Sequence, residues 1–516
     1  MLWRALLALS AAASSLACAG GGSDCDACVA LPDGSVPMRR DAAPSDSGAV
    51  GDAGFAPDAE AARDGAMEPA DAGSSTVTIG QPGHLLIRGR AVLPMTGGTV
   101  YSPGEVYIEG DRVRCVGAVS ACAALAAGAT VIDTGGVVLP GLVDAHNHVA
   151  YDWLPVWMAG RLFDDSQSWR SAADYDAFTQ PYSANKDDHD KFCAMVQWGE
   201  IRALVHGTTT IFGTPQPRTC YRWLVRNAEL SSGYNGFLRD AVRSNTLGID
   251  TVNMADAQLL VSKMATGEIA AYVVHLSEGF TARSHDEYLT LKMLGLLQPQ
   301  TVIIHGAALT PQDFIEVGQA GAKLVWSPSS NIALYGRTTD VRAAQLGGVS
   351  IALAPDWTPS GTGSLLAELG FARDYLDQHD PGLFSDEDLV SMATRIPAAM
   401  LGASELVGTL EVGHYADVLV IDRPDADPYS AVVRANAGDV RLVVLGGLPV
   451  YGDRALLSVL PDAPTDISDL EACGGAKRTA WPPTPDGTVS IASVRAVIAG
   501  FFGQDPYALV PLCSLR

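Results

Sequence analysis

The stretch Val137-Val138-Leu139-Pro140-Gly141-Leu142-Val143-Asp144-Ala145-His146-Asn147-His148 runs from an apolar segment into two histidines separated by one residue. On a strand, residues at i and i+2 project from the same face, so both imidazoles would point the same way at its end. Two neutral imidazoles placed like that are half of a divalent-metal site. Taken alone, the pair reads equally well as a polar strand terminus at the surface.

Other apolar runs of strand length end in side chains of the same kind. His275 closes Ala271-Tyr-Val-Val-His275, His305 closes Thr301-Val-Ile-Ile-His305, and Asp356 follows Ile351-Ala-Leu-Ala-Pro355. A single histidine closing a core strand is ordinarily a hydrogen-bonded structural residue. Five residues able to bind a metal or move a proton, at four separate strand ends, point to one shared site. Glu278 follows His275 by three residues; if the strand ends at the histidine, the turn can carry this carboxylate over the site as a general acid/base.

Strand-like runs at 141–144, 208–212, 271–275, 301–305, 323–326 and 349–354 alternate with helical patterns. Continuous apolar strands separated by helices predict a parallel sheet covered on both faces. The span 141–405 is the length of a closed (β/α)8 TIM barrel, an α/β fold with its chemistry at the C-terminal strand ends. Two strands must lie between Phe212 and Ala271, and 237–243 is one candidate. Short β runs with glycine-rich turns fill 76–140 and 406–455, as in small antiparallel sheets.

The two ends read differently. Residues 1–18 form a short export signal, with Arg4, the run Ala5-Leu-Leu-Ala-Leu9 and then Ser15-Leu-Ala-Cys18. Cys18 after a small residue resembles a bacterial lipoprotein cleavage site, giving a lipid anchor in the cell envelope; plain periplasmic or secreted release is the alternative. Residues 19–75 carry eleven acids against three arginines among Ala, Gly, Pro and Ser, a composition that predicts a disordered tether. The remaining cysteines, Cys25, Cys28, Cys115, Cys122, Cys193, Cys220, Cys473 and Cys513, are even in number, as a set of disulfides would be. Nearest-neighbour pairing is the simplest arrangement. A net charge of −24 argues against nucleic acid and against anionic membrane surfaces as partners. No functional reading attaches to the extension 456–516, and oligomeric state is not legible.

Together these stretches resemble the amidohydrolase superfamily, metal-dependent hydrolases with a barrel and a β-sandwich split between segments before and after it. The resemblance rests on Pro140-Gly-Leu-Val-Asp-Ala-His-Asn-His148, Gly207-Thr-Thr-Thr210, His275-Leu-Ser-Glu278, His305-Gly306, Ser327-Pro-Ser-Ser-Asn331, Ala354-Pro-Asp356, Met392–Gly402 and Gly408–Gly413, in the family's order over roughly 84–452. It is similar to the mononuclear subgroup of cytosine deaminase-like and triazine hydrolase-like enzymes. That implies one divalent metal, zinc foremost with iron(II) or manganese suited to the same donors, held by His146, His148, His275 and Asp356. It also implies Glu278, His305 and Asp356 as the proton-handling and water-orienting groups. The implied substrate is a small cyclic or aromatic amide or amine, hydrolysed or deaminated at a non-peptide C–N bond.

Two features depart from the family pattern. Binuclear branches place a carboxylated lysine on the fourth strand, and the only lysine near that region, Lys263, lies in a helical pattern, which favours a single ion. Trp326-Ser327 stands where the subgroup often has histidine and cysteine, so inherited substrate contacts are in doubt. Asn331 is a candidate hydrogen-bond partner of the metal site or the substrate, with a turn-forming asparagine the equal alternative, and Trp153 in the aromatic first loop Tyr151-Asp-Trp-Leu-Pro-Val-Trp157 is a candidate substrate contact. Two readings compete with this one: a non-catalytic surface lipoprotein using the barrel as a binding scaffold, and a binuclear dipeptidase- or phosphotriesterase-type hydrolase. No Gly-x-Ser-x-Gly, P-loop, dinucleotide fingerprint or His-Glu-x-x-His occurs.

Overall fold

Val137–Pro140 and Leu142–Asp144, the two strands of the opening stretch, belong to different sheets. Gly141 is the crossing point, and a Cβ there would sit 2.1 Å from Thr209 Oγ1, so only glycine lets the chain pass. In the computed structural model, the described residues are 75–516 apart from 214–219, 221–223, 230–236, 238–240, 247, 465, 482–489, 510–511 and 514–516. The expected export signal at 1–18, Cys18, the expected tether up to residue 74, Cys25 and Cys28 lie outside them.

On one side of Gly141 two sheets share an apolar core. The seven-stranded sheet runs in the order Asp466–Ala472, Gly475–Trp481, Leu448–Asp453, Val440–Leu445, Val418–Ile421, Val137–Pro140, Ala91–Val92. Val418–Ile421 pairs antiparallel with Val137–Pro140, which joins chain segments nearly 300 residues apart in one ladder. The five-stranded sheet is built from Thr76–Thr78, Ala129–Asp133, Gln81–Gly89, Gly104–Glu109 and Arg112–Ala118. Leu85, Ile87, Val106 and Ile108 from this sheet pack in one cluster with Val138, Val418, Val420 and Leu442 from the other. Alternation of inward apolar side chains on both sheets is what holds such layers together.

On the other side are eight parallel strands, in two sheets rather than one continuous ladder. Leu142–Asp144, Thr208–Ile211 and Arg226–Asn227 form the first sheet. Val242–Asn245, Ala271–Leu276, Thr301–His305, Lys323–Trp326 and Ser350–Leu353 form the second. An isolated parallel bridge between Asn147 and Asp356 links the end of the first strand to the end of the last. Among the described residues no ladder joins Arg226–Asn227 to Val242–Asn245. The six strands expected from apolar runs are all present; of the candidate 237–243, residues 242–243 belong to the strand Val242–Asn245, and 238–240 lie outside the described residues. Arg226–Asn227 was not anticipated, because its arginine is charged yet buried. Arg226 makes a two-pronged ion pair with Asp417 at 2.6 and 2.9 Å and stacks its guanidinium on Tyr415, so its charge is matched from the β-sandwich segment.

The C-terminal extension is structural. Its hairpin Asp466–Ala472/Gly475–Trp481 extends the seven-stranded sheet, and its helix Ile491–Phe502 packs on the helix His189–Val205. Phe501 and Phe502 meet the Trp153 ring edge-on at 5.4 and 5.1 Å. Trp153 is fully buried there, with its indole N–H donated to the Ala150 carbonyl, so it is a packing residue and not the substrate wall expected of it. Three nearest-neighbour disulfides are formed, Cys115–Cys122, Cys193–Cys220 and Cys473–Cys513. No helix among the described residues is long and apolar enough to cross a membrane.

Candidate active site

At the C-terminal ends of the parallel strands, four side chains turn their donor atoms toward one point. His146 Nε2 lies 3.1 Å from His275 Nε2 and 3.2 Å from Asp356 Oδ1. His148 Nε2 lies 3.3 Å from His275 Nε2 and 3.4 Å from the same Asp356 oxygen. Three imidazole nitrogens facing each other cannot all be satisfied by mutual hydrogen bonds, since a neutral ring carries one N–H. A cation among them resolves this. Bonds of about 2.0–2.1 Å around a tetrahedral ion put its ligand atoms about 3.3–3.4 Å apart, close to the 3.1–3.4 Å of these four contacts. The residues present therefore fit a divalent metal.

Local structure explains why these four meet. The first strand ends at Asp144, and its buried carboxylate accepts the His146 N–H and the Asn147 amide, fixing the turn on which both histidines sit. The His148 N–H then donates to the Asp356 carbonyl, which zips the first strand end to the last. Gly213 makes room for this turn, because a Cβ there would sit 1.7 Å from the Asn147 oxygen. Asp356 and His305 both have φ +69°, and Ser277 has φ +56°. Such left-handed backbone at non-glycine residues is costly, and its concentration at three of these strand ends is typical of a functional site.

The strand carrying His275 continues to Leu276, one residue further than expected, so the turn comes at Ser277. It still delivers Glu278 to the site, with Oε1 3.9 Å from His305 Nε2. Burial alone would raise the Glu278 carboxyl, but His305, the Arg170 guanidinium and the Tyr335 hydroxyl outweigh it and hold the group below its usual range. Burial, then the surrounding histidines, pushes His146 and His275 well below the ordinary imidazole range. Burial and the Arg170 charge lower His148 to about 4. These rings are therefore neutral lone-pair donors at pH 7. Asp356 is pushed upward by burial and by the charge of Glu278.

His146, Asp356 and His305 each have a supporting partner on the segment 327–331. Ser327 Oγ sits 3.2 Å from His146 Nδ1, and the Ser330 hydroxyl donates to Asp356 Oδ2 at 2.6 Å. Asn331 is fully buried, with Oδ1 3.1 Å from His305 Nδ1 and its amide donated to Thr338 and Thr339. With its amide so committed, Asn331 accepts the His305 proton and leaves Nε2 facing the site. Of the two contacts expected for it, to the site or to the substrate, the structure describes the one to the site residue His305. Trp326 is also buried away from solvent, its N–H donated to Thr338, so the departure at Trp326-Ser327 places a serine, not an aromatic wall, beside the metal donors. The aromatic group beside the site is Trp357, 5.6 Å from the His148 ring, with Tyr151, Trp169 and Tyr175 around it. A tryptophan directly after the last-strand aspartate was the sequence signal for it. Lys263 lies on the helix Met254–Ala265 paired with Glu268, so it supplies no bridge for a second ion.

Comparison with known proteins places this site in context. Residues 254–450 match the model of the amidohydrolase family. A 5-methylthioadenosine/S-adenosylhomocysteine deaminase of Syntrophobacter fumaroxidans is 26% identical over 418 residues, covering 73% of this chain and 95% of the relative. A deaminase of the same name from Pyrococcus abyssi is 31% identical over 179 residues, covering 33% of this chain and 42% of its own. Among solved structures, an adenosine deaminase from Xanthomonas campestris with bound zinc superposes with a TM-score of 0.61 at 17% identity, over 82% of this chain and 99% of that one. A variant of the atrazine chlorohydrolase from Arthrobacter aurescens, complexed with zinc and atraton, gives 0.58 at 16% identity over 71% and 95%. At such low identity these two speak for a shared mixed α/β fold. The match of residues 254–450 to the amidohydrolase family, the relatives and the converging donors together make the chain a metal-dependent hydrolase acting on C–N bonds, similar to the amidohydrolases.

Proposed function

We propose that the chain is a mononuclear zinc deaminase that releases ammonia from an amino group on a planar nitrogen heterocycle, with a purine nucleoside as the substrate class. The observation that carries this reading is the run of four contacts of 3.1–3.4 Å that links the donor atoms of His146, His148, His275 and Asp356, with Glu278 and His305 beside them. Relatives named for methylthioadenosine and S-adenosylhomocysteine, and aromatic walls suited to a flat ring, support the substrate class. The bridge between Asn147 and Asp356 supports a closed barrel around the site.

His146, His148, His275 and Asp356 hold the ion. When bound, it supplies the Lewis acidity that makes water a nucleophile near neutral pH. Water adds to the ring carbon bearing the amino group; one of its protons reaches the adjacent ring nitrogen and another the departing amine. Glu278, ionised at rest, takes a proton from the water and returns it to the ring nitrogen. Asp356, steadied by the Ser330 hydroxyl, accepts the second and passes it to the amine. His305 Nε2 orients the attacking water, its ring locked by Asn331. Ammonia leaves, and the ring carbon keeps the oxygen.

The test is a panel assay on the zinc-loaded protein with 5-methylthioadenosine, S-adenosylhomocysteine, adenosine, guanine and cyclic amides, reading ammonium. Ammonium release from an adenine nucleoside is expected. Ring opening of a cyclic amide with no ammonium from any purine would overturn the deaminase assignment.

We also infer export and lipid anchoring at Cys18. Three disulfides among the described residues favour an oxidising compartment. Radiolabelled palmitate is expected in the parent expressed in a bacterial host and absent from Cys18→Ser; equal labelling of both would reject the anchor.

A further inference from the structure

The helix Pro328–Tyr335 begins immediately after the strand Lys323–Trp326, and its contacts with the site follow helical spacing. Its N-cap Ser327 meets His146, Ser330 donates to Asp356, Asn331 holds His305, and Tyr335 donates to Glu278 Oε1 at 2.8 Å. Positions 327, 330, 331 and 335 lie within one face of a helix turning about 100° per residue. One helix face thus reaches two metal donors, the water-orienting His305 and Glu278.

The Tyr335 contact continues further. The Trp169 indole N–H donates to Tyr335 Oη at 2.8 Å. Indole nitrogen can only donate and an ionised carboxylate can only accept, so the direction of the chain is fixed: Trp169 to Tyr335 to Glu278. Trp169 and Tyr335 are both buried. Trp169 rides on the short helix Ser166–Arg170, which is tied to the turn after Glu278 by backbone pairing. The Ser166 N–H donates to the Glu278 carbonyl, the Phe280 N–H donates to the Asp164 carbonyl, and Asp165 bridges Gly279. Gly279 is required at that contact, since a Cβ would sit 2.4 Å from Asp165 Cα.

We propose that Tyr335 and Trp169 are positioning residues for Glu278, forming a relay that occupies Oε1, fixes the carboxylate rotamer and leaves Oε2 as the proton-carrying oxygen. Oε2 has the Arg170 guanidinium at 3.5 Å, too long for a strong hydrogen bond. The helix Ser166–Arg170 therefore sets the position of the Glu278 carboxylate. This inference rests on the proposed role of Glu278.

The test uses the zinc-loaded full chain with 5-methylthioadenosine as probe. Tyr335→Phe keeps the ring and removes only the hydroxyl; it is expected to lower kcat about 10- to 100-fold, the range for losing a hydrogen bond to a charged group. KM should stay within about twofold and zinc content unchanged. Trp169→Phe is expected to cost less, and the double variant to be no slower than Tyr335→Phe alone, because both act through one carboxylate. In the Glu278→Gln background neither change should alter the residual rate. Additive losses, a KM effect in place of a kcat effect, or an unchanged kcat in Tyr335→Phe would overturn the relay. Should Tyr335→Phe fail to fold, the same non-additivity is read between Trp169→Phe and Glu278→Gln. Parental turnover in Glu278→Gln would instead refute the role of Glu278 itself, which separates the two failures.

Discussion

Replacing His275 by alanine is expected to strip the metal and abolish turnover in a protein that still folds. His275 Nε2 touches both other imidazoles, at 3.1 Å from His146 and 3.3 Å from His148, so it is the donor shared by the two halves of the site. Without it the remaining donors are the His146–His148 pair and Asp356, and the mutual spacing that suits a tetrahedral ion is lost. The strand Ala271–Leu276 is held by ladders on both sides and by apolar neighbours such as Val273 and Val274, so the backbone does not depend on the imidazole. Elemental analysis should find one ion per chain in the parent and none in His275→Ala, with activity at background. Ser327→Ala offers a graded comparison, since it removes only the partner of His146 Nδ1 and should weaken metal affinity about 10- to 100-fold. A full metal complement in His275→Ala would sink the assignment, and two ions per chain in the parent would sink its mononuclear form.

What could be read from the chain beforehand follows a physical division. His146, His148, His275, His305 and Asp356 were legible because each interrupts an apolar strand pattern at its C-terminal end, where the period of the pattern itself marks the break. Glu278 was legible only through its distance from His275. The supporting groups were not. Ser327, Ser330 and Tyr335 sit on a helix whose orientation depends on how Lys323–Trp326 delivers it, and no local pattern reveals which helix face meets the site. Trp153 shows the same limit in reverse: an aromatic residue in the first loop serves equally well as a roof or as core, and Phe501 and Phe502, some 350 residues away, decide for core. Arg226–Asn227 escaped because a buried arginine breaks the apolar signature of a strand, and its compensation by Asp417 lies 191 residues further on. The composite sheet was legible as two β regions, and the pairing of Val137–Pro140 with Val418–Ile421 is what makes them one.

Glu278→Gln is the complementary experiment, expected to keep the metal and the substrate and to lose the chemistry. Glutamine has the shape of glutamate and can still accept the Tyr335 hydroxyl, so the turn at Ser277 and the neighbouring roof should stay in place. What it cannot do is take a proton from water and return it. A positioned acid/base group contributes about 10²- to 10⁴-fold to rate, and the loss in kcat should fall in that range. The carboxylate is held ionised at rest by His305, Arg170 and Tyr335 against the pull of burial, which is the state needed to accept a proton first. A group kept ready as a base and unable to be replaced by its amide separates proton transfer from metal binding, and that separation is the measurable point: zinc content unchanged, KM close to parental, turnover collapsed. Zinc loss in this variant would mean that Glu278 helps to hold the ion, and undiminished turnover would move the acid/base role to His305 or Asp356.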